Sequence, residues 1–275
     1  MTGAIAELGP ALAYEWVRLR TSRATWRLIA VAVAGTLLVG IALAALLLQM
    51  VRDGSVTVSP LEADVVVLTK SPVTPLVAGL LGVLAMGNEY RYGTIRTTLL
   101  VTPDRWRAFL AKLALVSVTA IAMVCVNLVL GWMVIGLMLR SHPLPGGQVP
   151  TVLRAQAGQA VIIVGWAVIG LALAALTRSQ TAAILLLLAD AYLVEPGLRL
   201  GLRSAPGPLS AVPDYLPLGA AGTLTDVSGS VAQGSTALTV SSSSLAPWVG
   251  GGVFVLFVAL LAVTAGIVFV RRDAQ

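Results

Sequence analysis

Charge, sulfur and imidazole are all scarce in this sequence. Only 11% of its 275 residues are charged, against roughly 25% in an average soluble domain, so a water-facing surface of ordinary polarity cannot be built from it. The one cysteine, Cys125, sits in an apolar run, which excludes an intramolecular disulfide and leaves no thiolate cluster for redox or metal chemistry. One histidine, His142, cannot assemble a metal site, and neither His-Glu-x-x-His nor Gly-x-Ser-x-Gly occurs. Lysine is limited to Lys70 and Lys112. Neither follows a glycine, so the Gly-x-x-x-x-Gly-Lys-Ser/Thr phosphate loop is excluded as well.

What is present is hydrocarbon. Hydrophobic residues make up 57% of the chain and the mean hydropathy is +0.92, values that call for lipid as the solvent. Dividing the length by the roughly 20 apolar residues that cross a bilayer leaves room for about six crossings. The apolar runs predict them at 28–50, 71–88, 108–139, 155–177, 181–198 and 247–270. The expected fold is an all-α integral membrane protein, a single transmembrane domain over 1–275. Leu28 to Met50 carries no charge and continues past the Ala42-Leu43-Ala44 triplet, which reads as a span rather than a cleaved leader. The second run opens on Pro72 and Pro75, tolerable where a helix begins or is covered by neighbours.

Arginine sets the orientation. With the N-terminus inside, 12 Lys and Arg fall on inner segments and 6 on outer ones, as the positive-inside rule requires. Both termini are then cytoplasmic, and the net charge of +6 is worn on the inner membrane face, with no nucleic-acid partner expected. The Ser-, Gly- and Pro-rich stretch 199–246 becomes an extracytoplasmic loop. Residues 9–27 read as an amphipathic helix lying on the inner surface, with Leu12, Trp16 and Leu19 at helical spacing and Arg18, Arg20 and Arg23 pointing elsewhere. The plain alternative is a basic flank obeying the charge rule.

The segment after the second span is the most structured of the loops. Thr102-Pro103-Asp104 reads as a helix start, with a side-chain cap, a proline where no amide is missed and an acid at the positive end. The third helix therefore begins in the cytoplasm, with Arg105, Arg107 and Lys112 in its first turns, and 94–101 fits a short helix parallel to the membrane. Within the spans, Asn127, Gln156, Gln159, Asp190 and Glu195 are the polar residues to weigh. Asp190 is the deepest acid; it either lines a path, pairs with Arg199, or hydrogen-bonds between helices. Glycines recur five apart, as at Gly82 and Gly87, a spacing that does not put both on one face. They indicate close packing in general, and Gly250-Gly251-Gly252 a bend or close approach.

Glu89 at the end of the second span, then Gly93-Thr94-Ile95-Arg96, Leu99-Leu100, Thr102-Pro103, Arg105 and Ala111-Lys112 resemble the permease subunits of bacterial type-2 ABC exporters. The basic first helix, the six expected spans, Tyr215-Leu216-Pro217 and the terminal Arg271-Arg272-Asp273 are similar too. The resemblance implies that the loop between spans two and three is a coupling helix seated on a separate ABC ATPase subunit, and that two permeases, alike or different, pair around a substrate path. Glu89 would anchor the inner end of helix two, Gly93 would permit the bend, and Ile95, Arg96, Leu99 and Leu100 would meet the ATPase. It further implies a multi-pass protein of the prokaryotic cytoplasmic membrane that exports substrate and catalyses nothing itself. No cofactor is expected on this chain; ATP and Mg belong to the partner. The alternative function, a gradient-driven secondary transporter or channel, would favour acids or arginines buried in mid-span and internal repeats. A lipid-modifying membrane enzyme would need clustered acids, histidines or nucleophiles at one depth, and only Asp190 and Glu195 come near.

Overall fold

The computed structural model describes residues 8–54, 71–94, 104–138, 149–204, 207–226 and 245–272, and among these every regular element is a helix. In chain order they are α1 (Leu8–Thr21), α2 (Arg23–Arg52), α3 (Val73–Tyr92), α4 (Arg105–Met138), α5 (Val149–Thr177), α6 (Gln180–Ala189), a π turn (Asp190–Val194), α7 (Glu195–Arg203), a 3-10 segment (Gly207–Tyr215), α8 (Pro217–Leu224) and α9 (Pro247–Arg272). The 34 residues of α4 make a rod of about 51 Å, and the 30 of α2 one of about 45 Å, both longer than the roughly 30 Å hydrocarbon core.

Five helical stretches among the described residues are long and apolar enough to cross a membrane: Arg23–Met50, Arg105–Val134, Leu153–Thr177, Gln180–Arg203 and Pro247–Arg271. The last but one runs through α6, the π turn and α7 as one rod. The second expected span is of a different kind. Thr74, Asn88, Glu89 and Arg91 dilute the apolar character of α3, yet 12 of its 20 residues are buried. It stands at the centre, screened by α2, α4, α5 and α6.

Backbone contact explains how α3 reaches that position. A Cβ added at Gly82 would lie 1.9 Å from Ala167 O, and one at Gly170 would lie 1.9 Å from Gly79 O. Small residues three apart on each helix, Gly79 and Gly82 against Ala167 and Gly170, let the two backbones touch, the packing that substitutes for hydrophobic segregation inside lipid. Around this crossing Val77, Met86, Ile163 and Leu171 are buried. At the start of α4, Trp106 stacks on Phe109 with ring centroids 6.0 Å apart, Phe109 meets Phe269 at a tilt with centroids 5.9 Å apart, and Gly266 of α9 makes room for the indole.

The N-terminal helix does not run unbroken over 9–27: it ends at Thr21, and Arg23 onward belongs to α2. Ser22 makes the break by accepting from Thr25 N at 3.4 Å, an N-cap with its side chain, while Trp26 Nε1 reaches back to Arg20 O at 2.8 Å. Trp16 and Trp26 are exposed, the amphipathic ring type that collects at membrane interfaces. The side chains of Leu12, Arg18 and Leu19 lie outside the described residues. The stretch expected to be an outer loop over 199–246 is largely built where it is described. Residues 199–203 continue the helix, and the 3-10 segment and α8 fold back so that Ala220, Ala221 and Thr223 are buried.

The π turn has a local cause. Pro196 cannot donate to the carbonyl four residues back and its ring crowds that turn. The helix widens just before it, so that Glu195 N bonds to Asp190 O five residues earlier. A single widened turn of this type relieves the clash without ending the rod.

Candidate functional site

The loop joining α3 to α4 starts and stops on defined caps. At its entry, Gly93 has φ 67° and ψ 14°, the left-handed C-cap that favours glycine, directly after Arg91 and Tyr92. At its exit, Asp104 Oδ1 accepts from Trp106 N at 3.0 Å and Arg107 N at 3.3 Å, and Arg107 Nε pairs with Asp104 at 3.0 Å. The cap of α4 is thus the acid itself; Thr102 and Pro103, expected to share that task, lie outside the described residues. So do Ile95, Arg96, Leu99 and Leu100.

Immediately inside these caps lies a buried charge cluster. Lys112 Nζ of α4 donates to Glu89 Oε1 of α3 and to Glu15 Oε1 of α1, and the three side chains are 0%, 1% and 6% exposed. Three helices separated by 97 and 23 residues in sequence are tied through one ammonium. Buried charges of this kind persist only with close partners. A water-sized pocket of about 20 Å³ beside it is lined by Glu15, Lys112, Ser22, Thr25 and Asn88. Glu89 and Lys112 are therefore brought together. Arg105, by contrast, points its Nη1 into the protein without a hydrogen-bond partner among the described residues.

Glu15 was not among the expected site residues. Its signal is positional: it falls three residues after Leu12 and four before Leu19, a lone acid within the apolar stripe of a basic helix, where an unpartnered carboxylate would be costly.

Asn127, Glu195 and Asp190 lie elsewhere. Asn127 of α4 is 4% exposed and its Nδ2 donates to Thr74 Oγ1 of α3 at 3.0 Å, while Thr74 and Thr36 of α2 share a hydrogen bond of 2.8 Å. Glu195 is buried at the start of α7, where it accepts from Arg199 Nη2 at 2.8 Å and Nε at 3.2 Å and from Leu218 N and Gly219 N at 2.8 and 2.7 Å. It caps the first turn of α8, satisfying amides that α8 itself cannot. Arg199 is accordingly taken by Glu195 and not by Asp190, since i, i+4 spacing places the former pair on one helix face. Asp190 is exposed on the π turn. Among the described residues no three His, Cys, Asp or Glu side chains gather as a metal site.

Five long apolar helices among the described residues make this a multi-pass membrane protein. The sequence model of one family, described as ABC-2 family transporter protein, matches residues 11–192, and the chain belongs to that family. That region runs from α1 through the π turn and contains both polar clusters on α3 and α4. Comparison with curated proteins returned no match.

Proposed function

We propose that this chain is the membrane subunit of an ATP-driven exporter in the cytoplasmic membrane of a prokaryote, with both termini in the cytoplasm. Six helices cross the bilayer in this reading: the five long apolar rods and α3, whose polar residues are covered by its neighbours. Residues 94–101, including Ile95, Arg96, Leu99 and Leu100, form the coupling surface on which a separate ATPase subunit sits. ATP and Mg²⁺ are held by that partner. Substrate moves outward as nucleotide binding and hydrolysis bias the permease between two states, and a second permease copy, identical or different, completes the path.

The observation that carries this reading is the Glu15–Lys112–Glu89 cluster. A loop that receives a push from a partner transmits it only if its two flanks cannot part. Lys112 ties the helix leading into the loop to the helix leading out of it, within a buried environment where the ties are strong. Glu15 adds the N-terminal helix to the same knot. A plain cytoplasmic turn has no need of such fastening, and family membership agrees with the role.

The test is purification of a tagged chain from its native membranes in mild detergent, with mass spectrometry of bound proteins and an ATPase assay. A soluble subunit with a phosphate-binding loop, and hydrolysis that depends on it, is the expected result. A homo-oligomer free of ATPase would overturn the proposal in favour of a gradient-driven carrier.

A further inference from the structure

The corner where α1 meets α2 shows charge of one sign. Over residues 8–30 the chain has four arginines, Arg18, Arg20, Arg23 and Arg27, and a single acid, Glu15. Glu15 is buried against Lys112, so the exposed face keeps positive charge alone. Arg20, Arg23 and Arg27 are exposed, and among the described residues none of the three forms an ion pair. By contrast Arg107, Arg199 and Arg203 each hold an aspartate or glutamate.

Two stripes converge at this corner. Trp16 and Arg20 stand i, i+4 on one face of α1, and Arg23 and Arg27 do so on α2, the spacing that makes helical residues neighbours. The bond from Trp26 Nε1 to Arg20 O, 2.8 Å long, fastens the end of α1 to the first turn of α2, and both indoles stay exposed. The charge does nothing for the helix that bears it. Arg23 opens α2 and Arg27 follows one turn later, at the positive end of the helix dipole, where a cation is unfavourable, and the first turn has no acid to offset it. A favourable partner therefore comes from outside the chain. Its place is fixed by the span: the stretch from Arg23 to Met50 is long and apolar enough to cross the bilayer, which sets its opening arginines at headgroup level, where exposed tryptophans also collect.

We propose that the corner between α1 and α2 is a binding surface for anionic phospholipid, with its arginines on the phosphodiester and its indoles against the upper acyl chains. The planar fork of an arginine matches the oxygens of a phosphate. A zwitterionic headgroup brings an ammonium that the arginines repel, so a lipid of net negative charge is preferred. An acidic protein segment would need no indoles beside the arginines. The inference requires only that α2 spans a bilayer, and it is independent of the exporter reading.

The experiment titrates the full, delipidated chain in detergent with dioleoyl-phosphatidylglycerol or dioleoyl-phosphatidylcholine and counts bound lipid by native mass spectrometry. The anionic lipid is expected to bind roughly tenfold more tightly. Arg23→Gln with Arg27→Gln should weaken it about 25-fold, roughly fivefold for each arginine at a membrane surface. Arg52→Gln with Arg271→Gln removes the same net charge from two other exposed helix ends and should leave binding within about twofold. Equal affinity for the two lipids overturns the proposal, and this comparison on the parent chain needs no variant to fold. Equal weakening by the two double variants also overturns it, because net charge then acts without a site. Displacement of the lipid by an equal concentration of glycerol 1-phosphate overturns it in favour of a soluble phosphate. Because no ATPase is present, failure here leaves the exporter reading standing, and failure to recover an ATPase leaves this surface standing.

Discussion

Replacing Lys112 by methionine removes a buried ammonium while keeping most of the side-chain volume, and the structure gives the size of the effect. Glu15 and Glu89 each present an oxygen to the same Nζ. Two acceptors on one ammonium at ordinary hydrogen-bond lengths are roughly 4.5–5 Å apart. Without the cation they face each other, and at an effective dielectric of about 20 the repulsion is about 3–4 kcal/mol. The same figure lies within the roughly 3–5 kcal/mol typical of breaking a buried pair from one side. At roughly 2–4 °C per kcal/mol for a chain of this size, Lys112→Met should lower the Tm in detergent by about 7–14 °C. Adding Glu15→Gln and Glu89→Gln removes the two carboxylate charges that faced Lys112, so the triple variant should recover more than half of the loss, because replacing a whole buried ionic cluster is far less damaging than removing one member. The assay is thermal unfolding followed by size-exclusion chromatography of the purified chain. A Lys112→Met protein as stable as the parent, or a triple variant no better than the single, would refute the reasoning.

Gly82→Ala should destabilise strongly, because its Cβ would sit 1.9 Å from Ala167 O, a backbone atom that cannot step aside; Gly252→Ala, with nothing within 4 Å of the new methyl, should be neutral, and the yield of monodisperse protein compares them. Glu195→Gln weakens the cap on α8 and strips Arg199 of its counter-charge, a loss of about 2–3 kcal/mol for hydrogen bonds to a charged group, whereas Asp190→Asn removes no such cap and should not lower stability; parallel Tm measurements separate the two. If the loop seats an ATPase, Arg96→Glu should at least halve the ATPase recovered with the tagged chain without changing the amount of permease in the membrane, and unchanged recovery would count against the coupling role.

Where the five long apolar helices lie was legible in the sequence because a bilayer imposes length and apolarity on a crossing, whereas the 3-10 segment and α8 fall in a stretch read as loop. Which faces meet was not, because inside lipid a leucine against a neighbour and a leucine against an acyl chain have the same chemistry. The glycines illustrate the limit. Read in pairs five apart, they indicate packing without a partner, while the contact that matters uses Gly79 and Gly82, three apart, against Ala167 and Gly170. Polar residues were visible one at a time, but their partners were distant: Thr74 lies 53 residues from Asn127 and 38 from Thr36, and Glu15 lies 97 from Lys112. The caps, being local, were closer to legible. Asp104 sits at the helix start that the sequence marks, and Gly93 at the bend, whereas Glu195 capping α8 from 23 residues upstream follows no short-range rule.

Contact between backbones also limits motion. Two cylinders separated by side chains can roll, because rotamers adjust as gears with loose teeth do; two that touch at Gly79, Gly82 and Gly170 have no such slack. Twisting either α3 or α5 about its own axis would drive a carbonyl into the other's Cα, so the pair can only tilt or slide together as one spar. The turn after α5 is equally short, two residues with Arg178 held at φ 53°, and α6 is drawn along. If the proposed coupling loop is pushed, a displacement delivered at Glu89 therefore travels along α3, α5 and α6 together, undiminished by rotation.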